Sequence, residues 1–306
     1  MNRPLLADEQ IKEKLLRRLR LLRSRMFPKQ VLLEIGEDRL LGQTLLGGRP
    51  GPLCLNLPLP AYTCNNQGMP VQIDALADLI GELLARENLI DAHVMASLPP
   101  QAVDWRVIDW GEAEMPEDGA FALRERDPDL GLPYPLAEAT MDVRPLPTAP
   151  GRMLVAVTPR ELVEAWIEVF DQAGLSLDRL ASPQSCRLEA LQGELAQVLP
   201  DSLVLVVSSQ ESSQTERRVL AIQDGVPLFE RILPRNTELL IREMLRCVAF
   251  LRRELPDLGG LELFLEGPLA EQEALEAALG QHARHLHHQP YGSLVMQGLA
   301  IPELTR

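Results

Sequence analysis

The sequence predicts an α/β protein built from two similar lobes, which together form an internally duplicated fold. Two strongly apolar segments, residues 31–35 and 202–208, have the composition of strands buried in a sheet. Each is followed by a hairpin signal and then by amphipathic helices and further strands. The 306 residues suffice for two lobes, and a hydrophobic fraction of 46% is typical of a globular protein.

The first lobe is predicted to run as three strands, a helix and a fourth strand. The limits are 31–35, 39–46 and 53–57 for the three strands, 74–86 for the helix and 92–98 for the fourth strand. Gly47-Gly48 marks the turn between the second and third strands, and Pro99-Pro100 closes the fourth. Residues 60–72 are predicted to form a loop.

The middle of the chain is less regular. Residues 111–135 carry many acids, prolines and glycines, which indicates irregular structure. The elements expected around them are strands 105–110, 140–146, 153–157 and 177–181, with helices at 159–173 and 184–198. Gly174 is a suitable C-cap for the first of these helices.

The second lobe is predicted to repeat the plan of strand, hairpin, helix, strand and helix. Asp224-Gly225 is the hairpin turn. The limits are strands 202–208, 219–222, 227–233 and 261–265, helices 236–255 and 269–279, and a short final helix within 291–302.

Charge and composition exclude several classes of function. Residues 1–30 carry a net charge of +6, whereas the rest of the chain carries −20, so nucleic-acid binding is not expected. The lysines, Lys12, Lys14 and Lys29, all lie near the N-terminus, which excludes a P-loop or a Schiff-base lysine in the body. We also expect no membrane span, no signal peptide and reduced cysteines, which favours the cytoplasm.

Residues 8–26 are predicted to form a basic amphipathic helix. One stripe consists of apolar residues, namely Ile11, Leu15, Leu19, Leu22 and Met26. Arginines cover the other sides, and Pro28 ends the helix. Two interpretations remain: a helix packed on its own protein or a solvated tail, or a segment lying on an anionic membrane surface or a partner helix.

Three further patterns contain side chains that could form a site. The run His282, His285, His287 and His288 has metal-binding side chains but no second ligand cluster, so an exposed polar loop is the preferred interpretation. The acidic stretch 111–129 is either a solvent-exposed surface without a partner or a binding surface for a basic peptide, which Phe121 and Tyr134 would anchor. No Ser/His/Asp arrangement is visible, so we expect no catalytic residue and no metal.

Five segments resemble the PilM family of type IV pilus assembly proteins, which belongs to the FtsA-like branch of the actin-like ATPases. The most informative are 132–142, which begins with Leu132-Pro133-Tyr134-Pro135-Leu136 and is similar to the family's IPFPLEEAVLDY-like stretch, and 153–175, where a strand and a helix end in Ala-Gly-Leu. The others are 31–36, 203–207 with the hairpin 224–229, and 291–299.

This resemblance implies an actin-like, ribonuclease H-like fold with two lobes and a small inserted subdomain. The expected organisation is a basic helix at 1–28, lobe 1 at 29–102 and 176–200, an insert at 103–175 and a reduced lobe 2 at 201–306. The resemblance also implies a cleft for ATP and magnesium and a position on the cytoplasmic face of the inner membrane. It further implies binding to the cytoplasmic tail of the membrane protein PilN.

The residues at the implied nucleotide site depart from the family pattern. Glu34 stands where the family has aspartate, and Gly36 is followed by Glu37 and Asp38, which place negative charge beside the phosphate. The second phosphate turn, after 203–207, has neither aspartate nor glycine, and the adenosine turn retains only Gly267. The helical subdomain expected between the second hairpin and the long helix has almost no room.

We therefore predict a degenerate nucleotide site and no ATP hydrolysis, with Glu34, Gly36 and Gly267 as its remnants. The expected function is a scaffold that binds a PilN-like partner in a type IV pilus or related secretion assembly. Two alternatives stay open: an active actin-like ATPase of the same machine, and a secretion assembly component of the GspL kind. Oligomerisation is compatible with each of them.

Overall fold

The structure of the protein is a computed structural model. It describes residues 29–46, 49–90, 92–111, 116, 118–127, 130–132, 134–208, 217–255, 257–267, 269–286 and 291–301. The predicted basic helix at 8–26 lies outside this part of the chain.

A five-stranded mixed sheet forms the centre of lobe 1. Its strands are β1 (Gln30–Ile35), β2 (Arg39–Leu46), β3 (Arg49–Pro58), β4 (His93–Ser97) and β8 (Ser176–Ala181), in the order β3-β2-β1-β4-β8. β1 to β3 are antiparallel neighbours, whereas β4 and β8 run parallel to β1. The apolar strand β1 therefore lies in the middle, as its composition predicts.

Lobe 2 contains a second sheet with the same plan. Its strands are β9 (Leu203–Ser208), β10 (Arg217–Gln223), β11 (Val226–Leu233), β12 (Leu261–Glu266) and β13 (Ala283–His285), in the order β11-β10-β9-β12-β13. The directions of the strands also repeat those of lobe 1. The duplication predicted from the sequence is therefore confirmed.

Each sheet is covered on one face by two helices. In lobe 1 these are α1 (Ile73–Arg86) and α3 (Arg160–Gln172), and in lobe 2 they are α5 (Thr237–Glu254) and α6 (Gln272–Leu279). The buried face of α1 carries Leu76, Ile80 and Leu84, the spacing of four that places side chains on one side of a helix. Trp166 of α3 is buried and donates its indole hydrogen to the carbonyl of Gly68 at 3.0 Å.

A third, smaller sheet interrupts lobe 1, and we call it, with its helix, the insert. It contains β5 (Asp104–Asp109), β6 (Ala139–Pro145) and β7 (Arg152–Pro159) in the order β5-β7-β6, with helix α2 (Gly119–Arg126) packed on it. These elements fall within the predicted range 103–175, and α3 follows them and packs on lobe 1. The domain limits proposed from the sequence stay a prediction.

Two helices lie between the lobes: α4 (Pro183–Leu195) and α7 (Leu294–Ala300). Their backbones touch at Gly298, where an added Cβ would stand 2.0 Å from the carbonyl oxygen of Cys186. Glycine is therefore required for this close approach.

Lobe 2 is reduced, as predicted, because three residues separate the end of β11 at Leu233 from the start of α5 at Thr237. Two elements were not expected from the sequence, α2 within the irregular region and β13 within the histidine run. Helix α4 also ends at Leu195 rather than at residue 198, and α6 begins at Gln272 rather than at residue 269. Among the described residues, no helix combines the length and the apolarity needed to cross a membrane.

Candidate functional site between the lobes

The carboxyl ends of the central parallel strands bring a glutamate beside a serine in each lobe. In lobe 1, Glu34 of β1 pairs in register with Ser97 of β4. In lobe 2, Ser208 of β9 pairs with Glu266 of β12, and the Ser208 hydroxyl donates to the Glu266 carboxylate at 2.6 Å. Both glutamates are buried, so each requires hydrogen-bond donors from the protein.

The N-terminal end of α7 provides donors to both lobes at once. The Ser293 hydroxyl donates to the Glu34 carboxylate, and the backbone N–H of Leu294 donates to Glu266 Oε1 at 2.8 Å. The same Ser293 oxygen accepts from the N–H of Met296 and caps the helix. A helix N-terminus favours nearby negative charge, so α7 joins the two buried carboxylates across the junction.

A buried ion pair links α4, between the lobes, to the edge strand of lobe 2. Arg187 of α4 contacts Glu230 of β11 at 2.5 Å, and Gln184 donates to the other Glu230 oxygen at 3.2 Å. Burial alone would raise the pKa of Glu230, but Arg187 and Arg218 hold that pKa below its ordinary value. Burial would likewise lower the pKa of Arg187, but Glu230, Glu266 and Glu34 raise it instead.

The β1–β2 turn, which the resemblance assigns to phosphate, is closed by its own contacts. The N–H of Gly36 donates to the carbonyl of Arg39 at 2.8 Å. Glu37 forms an ion pair with Arg218 of β10, which ties this turn to lobe 2. Glu37, Asp38 and Arg218 line a cavity of about 660 Å³ beside the loop 59–66.

These contacts do not fit a nucleoside triphosphate with its metal. Glu34 and Glu266 are hydrogen-bonded inside the junction, and the cations Arg187 and Arg218 already face Glu230 and Glu37. A triphosphate at the β1–β2 turn would approach Glu37 and Asp38, which repel it.

Gly267, the glycine expected in the adenosine turn, directly follows Glu266. Its φ of 84° lies in the left-handed region that favours glycine. Residues 209–216, which contain most of the second phosphate turn, lie outside the described part.

A groove of about 760 Å³ lies between the insert and lobe 2. Its walls come from β5 and β11, which are the edge strands of their sheets. Half-buried apolar side chains and charges of both signs line it, among them Trp105, Val107, Leu228, Arg106, Asp109 and Arg152. An edge strand presents unpaired backbone groups, so the groove offers both hydrogen bonds and apolar contacts to an extended chain.

Of the residues predicted to bind a partner, the structure describes Tyr134 and Phe121. Tyr134 of the insert is half-buried and donates its hydroxyl to Asp104, a groove residue, at 3.2 Å. Burial, followed by the charge of Asp104, raises the pKa of Tyr134. Phe121 is 61% exposed on α2 and is not part of the groove lining. Ile11, Leu15, Leu19 and Leu22 lie outside the described residues.

The histidine run is divided by the structure. His282 contacts Glu276 at 3.4 Å, and His285 belongs to β13. His287 and His288 lie outside the described part of the chain.

Sequence reasoning missed Arg187, Glu230 and Ser293, which form the junction. Their contacts join residues far apart in the chain, with 43 positions between Arg187 and Glu230 and 259 between Glu34 and Ser293. The signal available in the sequence was that α4 lacks a clear apolar stripe, and the structure shows that it buries Gln184, Ser185 and Arg187 together with apolar residues. A helix that buries polar side chains indicates a polar partner on another element.

Comparison with known proteins identifies the fold. No protein-family model and no curated protein sequence matches the chain. Among solved structures, a chain of a PilM-PilN type IV pilus biogenesis complex superposes with a TM-score of 0.65 and 22% identity, covering 89% of this chain and 97% of that chain.

A Bacteroides thetaiotaomicron protein of unknown function, described as having an actin-like ATPase fold, superposes with a TM-score of 0.53 and 11% identity over 90% of this chain and 96% of that chain. The cytoplasmic domain of EpsL from the Vibrio cholerae type II secretion system is more distant, with a TM-score of 0.45 and 14% identity, covering 89% and 92%. The chain therefore has the actin-like fold that the resemblance implied.

Proposed function

We propose that this protein is a PilM-like scaffold of a type IV pilus or related secretion assembly. It binds the cytoplasmic tail of a PilN-like inner-membrane protein and works at the cytoplasmic face of that membrane. In this proposal it neither hydrolyses ATP nor depends on bound nucleotide.

The observation that carries the proposal is the extent of the structural likeness to the PilM-PilN complex. The match spans nearly the whole of both chains, so it includes the insert as well as the two lobes. Since the fold alone hosts many functions, the assignment also needs a surface suited to a peptide.

The groove between β5 and β11 supports peptide binding. An extended tail placed along either edge strand would gain main-chain hydrogen bonds, and its alternate side chains would meet the apolar and the charged parts of the wall. Trp105 is the candidate anchor, because large aromatic side chains at the centre of an interface contribute most of its binding energy.

The junction supports a role without nucleotide. Actin-like clefts use nucleotide contacts from both lobes, and here side-chain and backbone contacts of the protein itself span the two lobes. We infer that these contacts keep the lobes together without a ligand.

The partner is tested with a labelled peptide that carries the cytoplasmic tail of the PilN-like protein from the same genome. Fluorescence anisotropy is expected to show saturable binding to the full chain. The Trp105→Ala variant should bind at least about tenfold more weakly, which is the effect of losing an aromatic anchor.

The matched control is Ile167→Ala, which removes an exposed apolar side chain from α3 and should leave peptide binding unchanged. Phe121→Ala separates the groove from the outer face of the insert. If Phe121→Ala weakens binding and Trp105→Ala does not, the groove is the wrong surface. If the wild-type chain does not bind the peptide, the proposed partner is wrong.

A further inference from the structure

Helix α5 presents an unusual combination of arginines and large apolar side chains to solvent. Its inner face, Leu240, Met244, Val248 and Leu251, is buried against the sheet of lobe 2. Its outer residues include Leu239, Leu245 and Phe250, which are 38%, 43% and 49% exposed. Three of the exposed large apolar residues described in this chain therefore lie on one helix.

Three of the four arginines of α5 occupy the same outward side. Arg242, Arg246 and Arg253 are spaced by four and seven residues, which places them along one face of the helix. Leu239 and Phe250 flank this row on one side, since each lies three or four residues from one of its arginines. The guanidinium of Arg253 also stacks 5.6 Å from the centre of the Phe250 ring.

The charge of this surface is opposite to that of the body. Helix α5 contains four arginines and three glutamates, a net of +1, whereas residues 31–306 carry a strongly acidic excess. Glu243 and Glu254 already contact Arg246 and Arg253. Within the described residues, Arg242 and Arg252 have no ion-pair partner. Because salt screens charges beyond about 8 Å, the local cations decide what this face attracts.

We propose that the outer face of α5 is a contact surface for anionic phospholipid membranes. A row of arginines beside leucine and phenylalanine is the composition of helices that lie in the interfacial region of a bilayer. The inner side of the helix is packed on the sheet, so its arginines, Leu239 and Phe250 face solvent together. Guanidinium groups also match phosphate geometry.

The position of α5 agrees with the proposed partner site, although the inference does not depend on it. β11 lines the groove over 226–230, and Arg231 of the same strand contacts Glu243 of α5 at 3.4 Å. The groove and this helix therefore share one edge of lobe 2. A membrane contact here would bring the groove close to the bilayer from which a partner's tail emerges.

The test is sedimentation of the full chain with vesicles of phosphatidylcholine alone or mixed with phosphatidylglycerol. Binding is expected only to the anionic vesicles and should weaken as salt rises. The double variant Arg242→Gln, Arg246→Gln should reduce the partition coefficient roughly 10- to 30-fold, the effect of removing two cations from an anionic surface. Glutamine has nearly the helix propensity of arginine, so α5 remains intact.

The matched control is Arg49→Gln with Arg86→Gln, which removes the same charge from exposed positions of lobe 1. Residues 1–28 are present in every protein tested, so their contribution is constant. If the two double variants bind anionic vesicles equally, the inference is wrong. Sedimentation velocity tests whether this face instead binds a second copy of the chain. If the wild type forms an oligomer, the α5 double variant does not, and vesicle binding is unchanged, the face binds a second copy and the inference is wrong. Neither assay contains the PilN-like partner, so a negative result for the membrane inference would not bear on the proposed function.

Discussion

Arg187 and Glu230 are the two residues whose chemistry most constrains the junction. Both side chains are at least nine-tenths buried; Arg187 belongs to α4 between the lobes, and Glu230 belongs to β11 of lobe 2. A buried charge without its partner is strongly unfavourable, whereas a pair with further hydrogen bonds is tolerated. The pair therefore holds α4 against β11, because a displacement that broke the pair while both side chains stayed buried would leave two charges unmatched.

Replacing Arg187 by methionine is expected to destabilise the fold by about 3–5 kcal/mol, because Glu230 would remain buried without its cation. Urea unfolding of the variant and the wild type measures the difference in free energy of unfolding. The double variant Arg187→Met, Glu230→Leu should recover most of the loss, since it removes both charges. A single variant as stable as the wild type would contradict the role given to this pair.

The pKa of Glu230 makes a separate prediction about pH. Its folded-state pKa is lower than the ordinary value of 4.5, so its charged form stabilises the folded state above that pH. This stabilisation is lost as the pH falls below 4.5 towards the folded-state pKa. Thermal unfolding across the acid range should show a steeper loss for the wild type than for Glu230→Gln. Equal slopes for the two proteins would argue against an ionised, paired Glu230.

The sequence predicts the structural role of a residue well where that role is local, and poorly where the role depends on the tertiary structure. Asp224-Gly225 was predicted as a turn because both residues tolerate positive φ, and the structure places them at 51° and 75°. Glu34 was interpreted as a remnant of a phosphate turn, but its hydroxyl donor Ser293 lies 259 positions away. No local pattern contains that contact.

At the scale of elements, the crossing of α4 and α7 determines how closely the lobes approach. The contact is formed by Gly298 and the Cys186 carbonyl, and the thiol of Cys186 is buried there, which raises its pKa to about 12. Cys186 is therefore a packing residue rather than a reactive thiol.

Gly298→Ala should destabilise the protein by about 1–3 kcal/mol, because the new methyl group would collide with backbone that cannot move without shifting a helix. Gly193→Ala is the control, since it lies in α4 with no atom within 4 Å of an added Cβ. That change should be neutral or stabilising by up to about 1 kcal/mol. Equal thermal unfolding midpoints for the two variants would contradict the close crossing.

The elements that were predicted are those with strong apolar periodicity. β1, β9 and α1 were found near the expected limits because buried strands and amphipathic helices leave clear patterns. Helix α2 was missed because it lacks a clear apolar stripe, and β13 because three residues are too few to show a period. Both are held by packing against neighbours that only the folded chain provides.

At the scale of the whole molecule, the duplicated plan was predictable and the closure between its halves was not. The order of apolar strands and hairpins repeats along the chain, so the sequence contains the information for two equivalent sheets. The link between them depends on α4, α7 and a few buried polar residues. These contacts join residues far apart in the chain, so a family pattern alone led only to the hypothesis of a degenerate nucleotide site.

We propose above all that the lobes are joined by the protein's own side chains and not by nucleotide. Isothermal titration calorimetry of the full chain with Mg-ATP tests it most directly. The account predicts no saturable heat of binding up to millimolar nucleotide, the range in which weak association remains detectable. Saturable binding at micromolar Mg-ATP, abolished by Glu34→Gln or by Glu266→Gln, would contradict it.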